Sequence, residues 1–268
     1  MFNKNELILD KVRSLVAQDL DNHKMLFRLT SLEDPSLSCT AEGEEITDAI
    51  GAVITTLYRA KKATFSATNS LISLDLAAAQ FGATKEVADK NNKIVDHTYE
   101  ILPIKDGKVE LTYSPISDVN KDGVSVSSVK YIYSVEKGET GTCYEANATE
   151  ATATEFFING KEITVPTGLT GKVYVEYDYE TENAVRIVNR ASQFPTACKL
   201  IIFAYFRDKC NENVVYSGKV ICPKAKLNPE QVELALTSTG KHAFEFTMMK
   251  DYCSEEGEDE LFTIIVAQ

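Results

Sequence analysis

The sequence predicts a mainly β protein: a larger β domain with one helix and a small β-sandwich inserted into it. Three observations predict this. Runs of Val, Ile, Thr, Tyr and Phe recur along most of the 268 residues, and such side chains fit a pleated, half-buried surface. Asp106-Gly107 and Asn159-Gly160 each separate two such runs, a strong short-range hairpin signal. One segment alone, 71–81, combines a helical apolar pattern with capping residues at both ends.

Taken in order, residues 7–16 suit either a helical face (Ile8, Val12, Leu15, Val16) or a strand entering a turn at Asp21-Asn22-His23. The run 24–32 reads as a strand, which favours a hairpin. Residues 37–68 are β-rich, and 54–66 mix apolar, β-branched and basic residues as a strand with one wet face does. Asn69 and Ser70 are candidate helix caps, Leu71, Leu74, Ala78 and Phe81 share a side, and Gly82 is the expected residue after the helix. So apolar a helix must pack on a sheet. Strands resume over 84–115. From 114 to 182 the chain is rich in Ser, Thr, Gly and Tyr, with short strands at 126–135, 155–165 and 172–179. This reading divides the chain into an outer β domain, 1–113 plus 183–268, and an inserted small β-sandwich, 114–182. The last third offers strands at 198–207, 214–222, 230–237, 241–248 and 261–266, with Pro195 and Pro223 at strand ends.

Composition narrows the function. Net charge is −12, and phosphate binding needs clustered Lys or Arg, so specific nucleic-acid binding is not expected. The first fifteen residues carry charges throughout, and no apolar run reaches membrane length, so neither a signal peptide nor a membrane span is expected. None of the six cysteines forms a C-x-x-C pair; Cys198 and Cys222 read as small buried hydrophobes or as partners across a hairpin.

Catalytic chemistry finds little support. His23, His97 and His242 lie at no metal-ligand spacing and beside no recognised nucleophile. Asp118, Asn120 and Asp122 match the opening of a calcium loop, but position twelve is Val129, so a plain turn is the better reading. The acidic loop of Glu255, Glu256, Glu258, Asp259 and Glu260 reads as solvated surface, because a catalytic pair needs a desolvated carboxyl. Tyr131, Tyr133, Tyr174, Tyr177 and Tyr179 are strand packing or, alternatively, a carbohydrate-stacking surface. No enzyme activity, metal or cofactor is expected.

The segments 57–71 and 74–82 resemble virion structural proteins of tailed bacteriophages, as do Phe194-Pro195, 221–226, 232–237, Phe244-Glu245-Phe246, 251–253 and 261–265. The nearest resemblance is to the major tail tube protein, over residues 20–113 and 183–268, with the middle segment similar to a variable immunoglobulin-like insertion. The resemblance implies a tail-tube-like β-sandwich or half-barrel with one flanking helix that forms rings of six, which stack into a channel for DNA ejection. Its partners would be further copies of itself and other tail proteins such as sheath or terminator, with DNA passing unbound and no membrane. Its location would be the virion tail, assembled in the host cytoplasm. Candidate assembly residues are Leu37, Ile46, Ile54, Leu57, Phe65, Leu71 and Leu74, with the N-terminal segment and 37–48 as candidate arms. Another virion protein (capsid or decoration) or a carbohydrate- or receptor-binding module is the alternative.

Overall fold

The computed structural model describes residues 6–119, 125–211, 213–229, 240–250 and 260–267, without the side chains of 118, 119, 125 and 126. In chain order the elements are β1 (Leu7–Asp19), β2 (Met25–Leu29), β3 (Leu32–Thr47), β4 (Val53–Asn69), α1 (Leu74–Phe81), β5 (Glu86–Val87), β6 (Ile94–Pro103) and β7 (Lys108–Glu110). There follow β8 (Ser117–Val119), β9 (Ser125–Ser127), β10 (Tyr131–Glu136), β11 (Glu139–Asn147), β12 (Glu155–Asn159), β13 (Glu162–Thr164), β14 (Lys172–Thr181) and β15 (Val185–Arg186). The chain ends with β16 (Ala197–Asp208), β17 (Val215–Leu227), β18 (His242–Met248) and β19 (Thr263–Ala267). The fold is mainly β with one helix among the described residues, as the sequence predicts. The predicted strand at 230–237 lies outside the described residues.

The chain divides into two compact units, Met1–Lys85 with Ile187–Gln268, and Glu86–Arg186. The inner unit therefore starts well before 114. Residues 86–113, read from sequence as part of the outer domain, pair instead with the insertion: β6 runs antiparallel to β14 from Ile94↔Thr181 to Lys172↔Pro103. The partner strand lies some eighty residues away, so local pattern does not reveal the pairing.

The outer unit is one sheet in the order β2-β1-β16-β17-β18-β4-β3, with β19 also paired to β17. Residues 7–16 resolve as a strand in a hairpin. Its turn is set by Asp19, whose carboxylate accepts the backbone N–H groups of Asp21 and Asn22 at 3.0 Å each, with His23 at φ 56°. The sheet folds over on itself. Strands β2 and β18 are four spacings apart, about 19 Å in a flat sheet, yet Phe27 and Phe246 stack at 6.4 Å. The fold happens along β17, whose residues 217–221 pair with β19 and whose residues 225–227 pair with β18. Leu15, Phe27, Phe65, Leu200, Phe244 and Phe246 fill the space inside.

Helix α1 covers one end of this core but begins later than predicted. Ser73, not Asn69 or Ser70, is the N-cap, its hydroxyl accepting Leu76 N–H at 3.3 Å. Asn69 donates its side-chain amide to Leu71 O and holds the preceding residues in a turn, so Leu71 stays outside the helix and exposed. Of the predicted apolar face, widened by Ile72, Leu76 and Ala79, the structure buries Leu76 and Ala78 and leaves Leu71, Ile72 and Leu74 exposed, while Ala77 and Gln80 are buried as well. Gly82 ends the helix at φ 63°, as predicted. A Cβ there would sit 2.2 Å from Phe194 O, so both conformation and space require glycine.

The inner unit is a seven-stranded sheet, β6-β14-β10-β11-β12-β13-β7, whose two ends meet. The turn at Asp106-Gly107, both at positive φ, joins β6 to β7 through the Lys105↔Lys108 bridge. Glu100 on β6 reaches across the join, accepting the Thr112 hydroxyl at 2.7 Å and its N–H at 3.1 Å, and it also takes the Tyr177 hydroxyl. The result is a nearly closed barrel around Ile132, Phe156, Ile163, Val173 and Val175. The Asn159-Gly160 hairpin forms as predicted, with Asn159↔Glu162 as the last pair.

Candidate assembly surface

The hairpin of β3 and β4 carries the surface feature that the rest of the fold does not explain. Along β4 the base alternates buried and half-buried from Ala63 to Asn69, and Phe65 is 3% exposed. Beyond the base, residues 53–62 lie almost wholly in solvent on both faces, as do residues 35–47 of β3. The hairpin is thus a two-stranded arm rooted in the core at one end only. Three register shifts mark its course: one at Asp34, before Pro35, at φ 48° on β3; one at Ala60, at φ 50° on β4, where Thr40↔Lys62 gives way to Glu42↔Arg59; and one near the turn, where Ile46↔Thr55 gives way to Thr47↔Val53.

The arm is not polar in the way a solvated hairpin usually is. Ile54 is 66% exposed, Tyr58 74% and Ile50, at the turn, 91%. Leu37, Ile46, Val53 and Leu57 are also exposed. Strand alternation puts Leu57 and Ile46 on one face, and Ile54 and Tyr58 on the other, where Tyr58 lies over Gly43. A two-stranded ribbon is marginal in water by itself, and this one exposes apolar groups on both sides.

Of the seven candidate assembly residues, Leu37, Ile46, Ile54 and Leu57 come together on the arm. Leu71 (65% exposed) and Leu74 lie exposed at the start of α1. Phe65 is a correction: it belongs to the core, with its ring 6.4 Å from that of Phe244, because it falls past the point where β4 enters the sheet. Sequence reasoning missed Ile50, Val53 and Tyr58. Their signal is present in 40–62, where neither alternating face is consistently apolar, the pattern of a strand lacking a core of its own.

Among the described residues the remaining candidates form no reactive constellation. Cys198 and Cys222 are buried and unbridged, and burial pushes both thiols up to about 12. They do not face each other, since Cys198 pairs with Ala225 and Cys222 with Leu200. His97 is exposed, and its Nδ1 hydrogen-bonds Asp178 at 2.7 Å, which raises its pKa. His242 is fully buried, with Nε2 bonded to Gln80 Oε1 and its pKa lowered by burial. Among the described residues no group of three or more His, Cys, Asp or Glu could hold a metal ion, and no helix is long and apolar enough to cross a membrane. Asp118 lies in β8 but its side chain, like Asn120 and Asp122, is outside the described residues; so are Glu255, Glu256, Glu258 and Asp259, while Glu260 is half-buried.

A β subunit that completes its own cores yet holds apolar side chains out on a tethered arm belongs to the class of self-assembling structural proteins. The chain belongs to the YomU/Tube protein family, whose family model matches residues 7–258. That is a phage-derived tube protein family, structural and not enzymatic, and it supports the resemblance drawn from the residues. No curated protein matches the chain.

Proposed function

We propose that the chain is the repeating subunit of a phage tail tube, stacking as rings of six around a channel through which DNA passes during ejection. The arm carries this reading: it leaves apolar surface on both faces of a ribbon, and stacking on a neighbouring ring removes that surface from water. The sheet's margins support it as well. Among the described residues strand β19 is paired along one side only and exposes Ile264, while β2, at the end of the sheet order, exposes Met25 and Leu26. Joining such margins between copies closes a ring without free edges.

A wall suited to DNA is also available. The face of β3, β4 and β18 turned from the core carries Ser36, Ser38, Thr64, Ser66, Thr68, Glu245 and Thr247, in register as Ser38↔Thr64↔Thr247 and Ser36↔Ser66↔Glu245. Short hydroxyls and a carboxylate offer phosphate no cation to grip. Sheath or terminator proteins would be the other neighbours, and the host cytoplasm the place of assembly. Negative-stain microscopy of the concentrated protein tests the reading: rings or tubes of uniform diameter are expected, and a strict monomer under all conditions overturns it.

A second reading concerns the inner unit alone. Tyr99, Tyr174 and Tyr133 line one sheet face, at 5.5 Å and 6.2 Å between successive rings, beside a recess of about 170 Å³ bordered by His97, Tyr131, Glu176 and Asp178. Such a face suits sugar rings, and a glycan array probed with the assembled protein tests it.

A further inference from the structure

The chain as a whole is acidic, yet one face of the outer sheet is basic. On the side of β2, β1, β16 and β17 turned from the core, register places Arg28, Val16, Ile201 and Ile221 in one row across the four strands. Lys199, beside Gln18, lies on one flank of this row. Lys219, opposite Phe203, lies on the other. Lys226, opposite Ala197, extends the first flank. Arg28, Lys199, Lys219 and Lys226 have no carboxylate within ion-pair reach among the described residues, and the nearby Asp10 is held by Arg207 at 3.2 Å. The face is therefore an aliphatic stripe between flanking cations that the fold leaves unneutralised.

The arm has the complementary pattern. Over 42–59 it carries Glu42, Glu44, Glu45 and Asp48 against a single Arg59, interleaved with Ile46, Ile54 and Leu57. Arg59 reaches Glu44 at 3.5 Å, with both side chains largely in solvent, so the pair is weak. Asp48 is occupied by backbone N–H groups of its turn. Among the described residues Glu42 has no ion-pair partner, and register puts it on the same ribbon face as Glu44, Ile46 and Leu57, with Glu45 and Ile54 on the opposite face. The sizes agree too: six residues of strand, 42–47, span about 20 Å, and four strands spaced by about 4.8 Å make a stripe about 15 Å wide.

We propose that the arm of one copy docks on the basic, aliphatic-striped face of a second copy through the ribbon face that carries Glu42, Glu44, Ile46 and Leu57, with the two carboxylates meeting Lys199 and Lys219, and Ile46 and Leu57 covering Val16, Ile201 and Ile221. This rests on the tube reading and names the acceptor surface that the reading leaves open. Apolar contact supplies the affinity, while the charges fix which face is chosen and in which register.

Charge reversal with rescue tests it. The double variant Glu42→Lys, Glu44→Lys and the double variant Lys199→Glu, Lys219→Glu are each expected to lower the pelleted, tube-forming fraction at least tenfold. Mixing the two variants, or combining all four changes in one chain, is expected to restore that fraction to within twofold of wild type. Circular dichroism verifies that each variant stays folded, since all four side chains reach solvent. Folded reversal variants that assemble like wild type, or a combination that fails to recover, overturn the docking while leaving the tube intact. Nucleic acid is the competing occupant of a basic face. Retention of a short DNA duplex by wild type, lost in Lys199→Glu, Lys219→Glu while tubes still form, assigns the face to DNA instead. A wild type that never forms tubes removes the tube reading and this inference with it.

Discussion

In the inner unit the end strands β6 and β7 meet across the Asp106-Gly107 turn, and Glu100 ties the join together. In the outer unit the end strand β3 leaves with β4 as an arm, and among the described residues β19 and β2 are paired on one side only. The same building material gives a self-contained barrel in one case and an incomplete surface in the other. What separates them is where the backbone and apolar groups at the sheet margin find partners: within the chain, or outside it. An open margin is a hazard in a protein that acts alone and a means of assembly in a tube subunit.

The sharpest way to break this contrast is to exchange core and arm. Phe246→Ala empties a fully buried ring site and is expected to cost about 3–5 kcal/mol in urea unfolding. Leu57→Ala is expected to change unfolding by less than about 0.5 kcal/mol while reducing tube yield. Equal destabilisation by both would mean that the arm is part of the monomer's core. The closure of the inner barrel is tested next. Glu100→Ala leaves the Tyr177 hydroxyl and the Thr112 N–H and hydroxyl without their acceptor, at about 1–3 kcal/mol, and hydrogen exchange in β6 and β7 should rise. Unchanged exchange would show that the carboxylate does not hold the join.

A smaller effect sharpens the account of the outer core. Burial lowers the pKa of His242, so below about 6.5 the unfolded chain binds a proton that the folded chain refuses. Stability contributed by the neutral imidazole is therefore complete above that pH and is lost as pH falls towards the folded pKa, by at most about 1.4 kcal/mol per unit. His242→Gln should flatten this part of the pH–stability curve, and an unaltered slope would assign it to the carboxylates. The smallest effect concerns the arm's bend. Ala60→Gly frees a residue held at positive φ and is expected to shift stability by less than about 1 kcal/mol, read as slower amide exchange in β3 and β4. Faster exchange there would mean that the alanine stiffens the bulge.

Local chemistry made much of this fold legible. The Asn159-Gly160 hairpin, the Gly82 helix end and the strands 198–207 and 214–222 form nearly where dipeptide preferences and alternation place them, because those signals act within a few residues. The helix start moved from 71 to 74 because Asn69 and Ser70 found other partners, Leu71 O for one and Ser31 O with Glu33 for the other, and left the capping to Ser73. Of the candidate assembly residues, those between 37 and 57 sit on the arm, whereas Phe65, on the same strand, is core. Phe65 falls where β4 takes up a regular alternation, Ala63, Phe65 and Ala67 inward against Thr64, Ser66 and Thr68, and there the strand has joined the sheet.

The sequence by itself determined the class of the protein, its strands, its tight turns and the acidic character that disfavours holding nucleic acid. Each follows from side chains acting on their own neighbourhood or from charge summed over the chain. The tertiary structure decided which strands close on each other, where the inner unit begins, which apolar residues are spent on a core, and that the basic residues gather on one sheet face. Those outcomes depend on pairings between residues eighty or more positions apart, such as His97 with Asp178 and Val16 with Ile201. Such pairings are chosen by how the whole sheet folds over its core, which no local run of residues encodes.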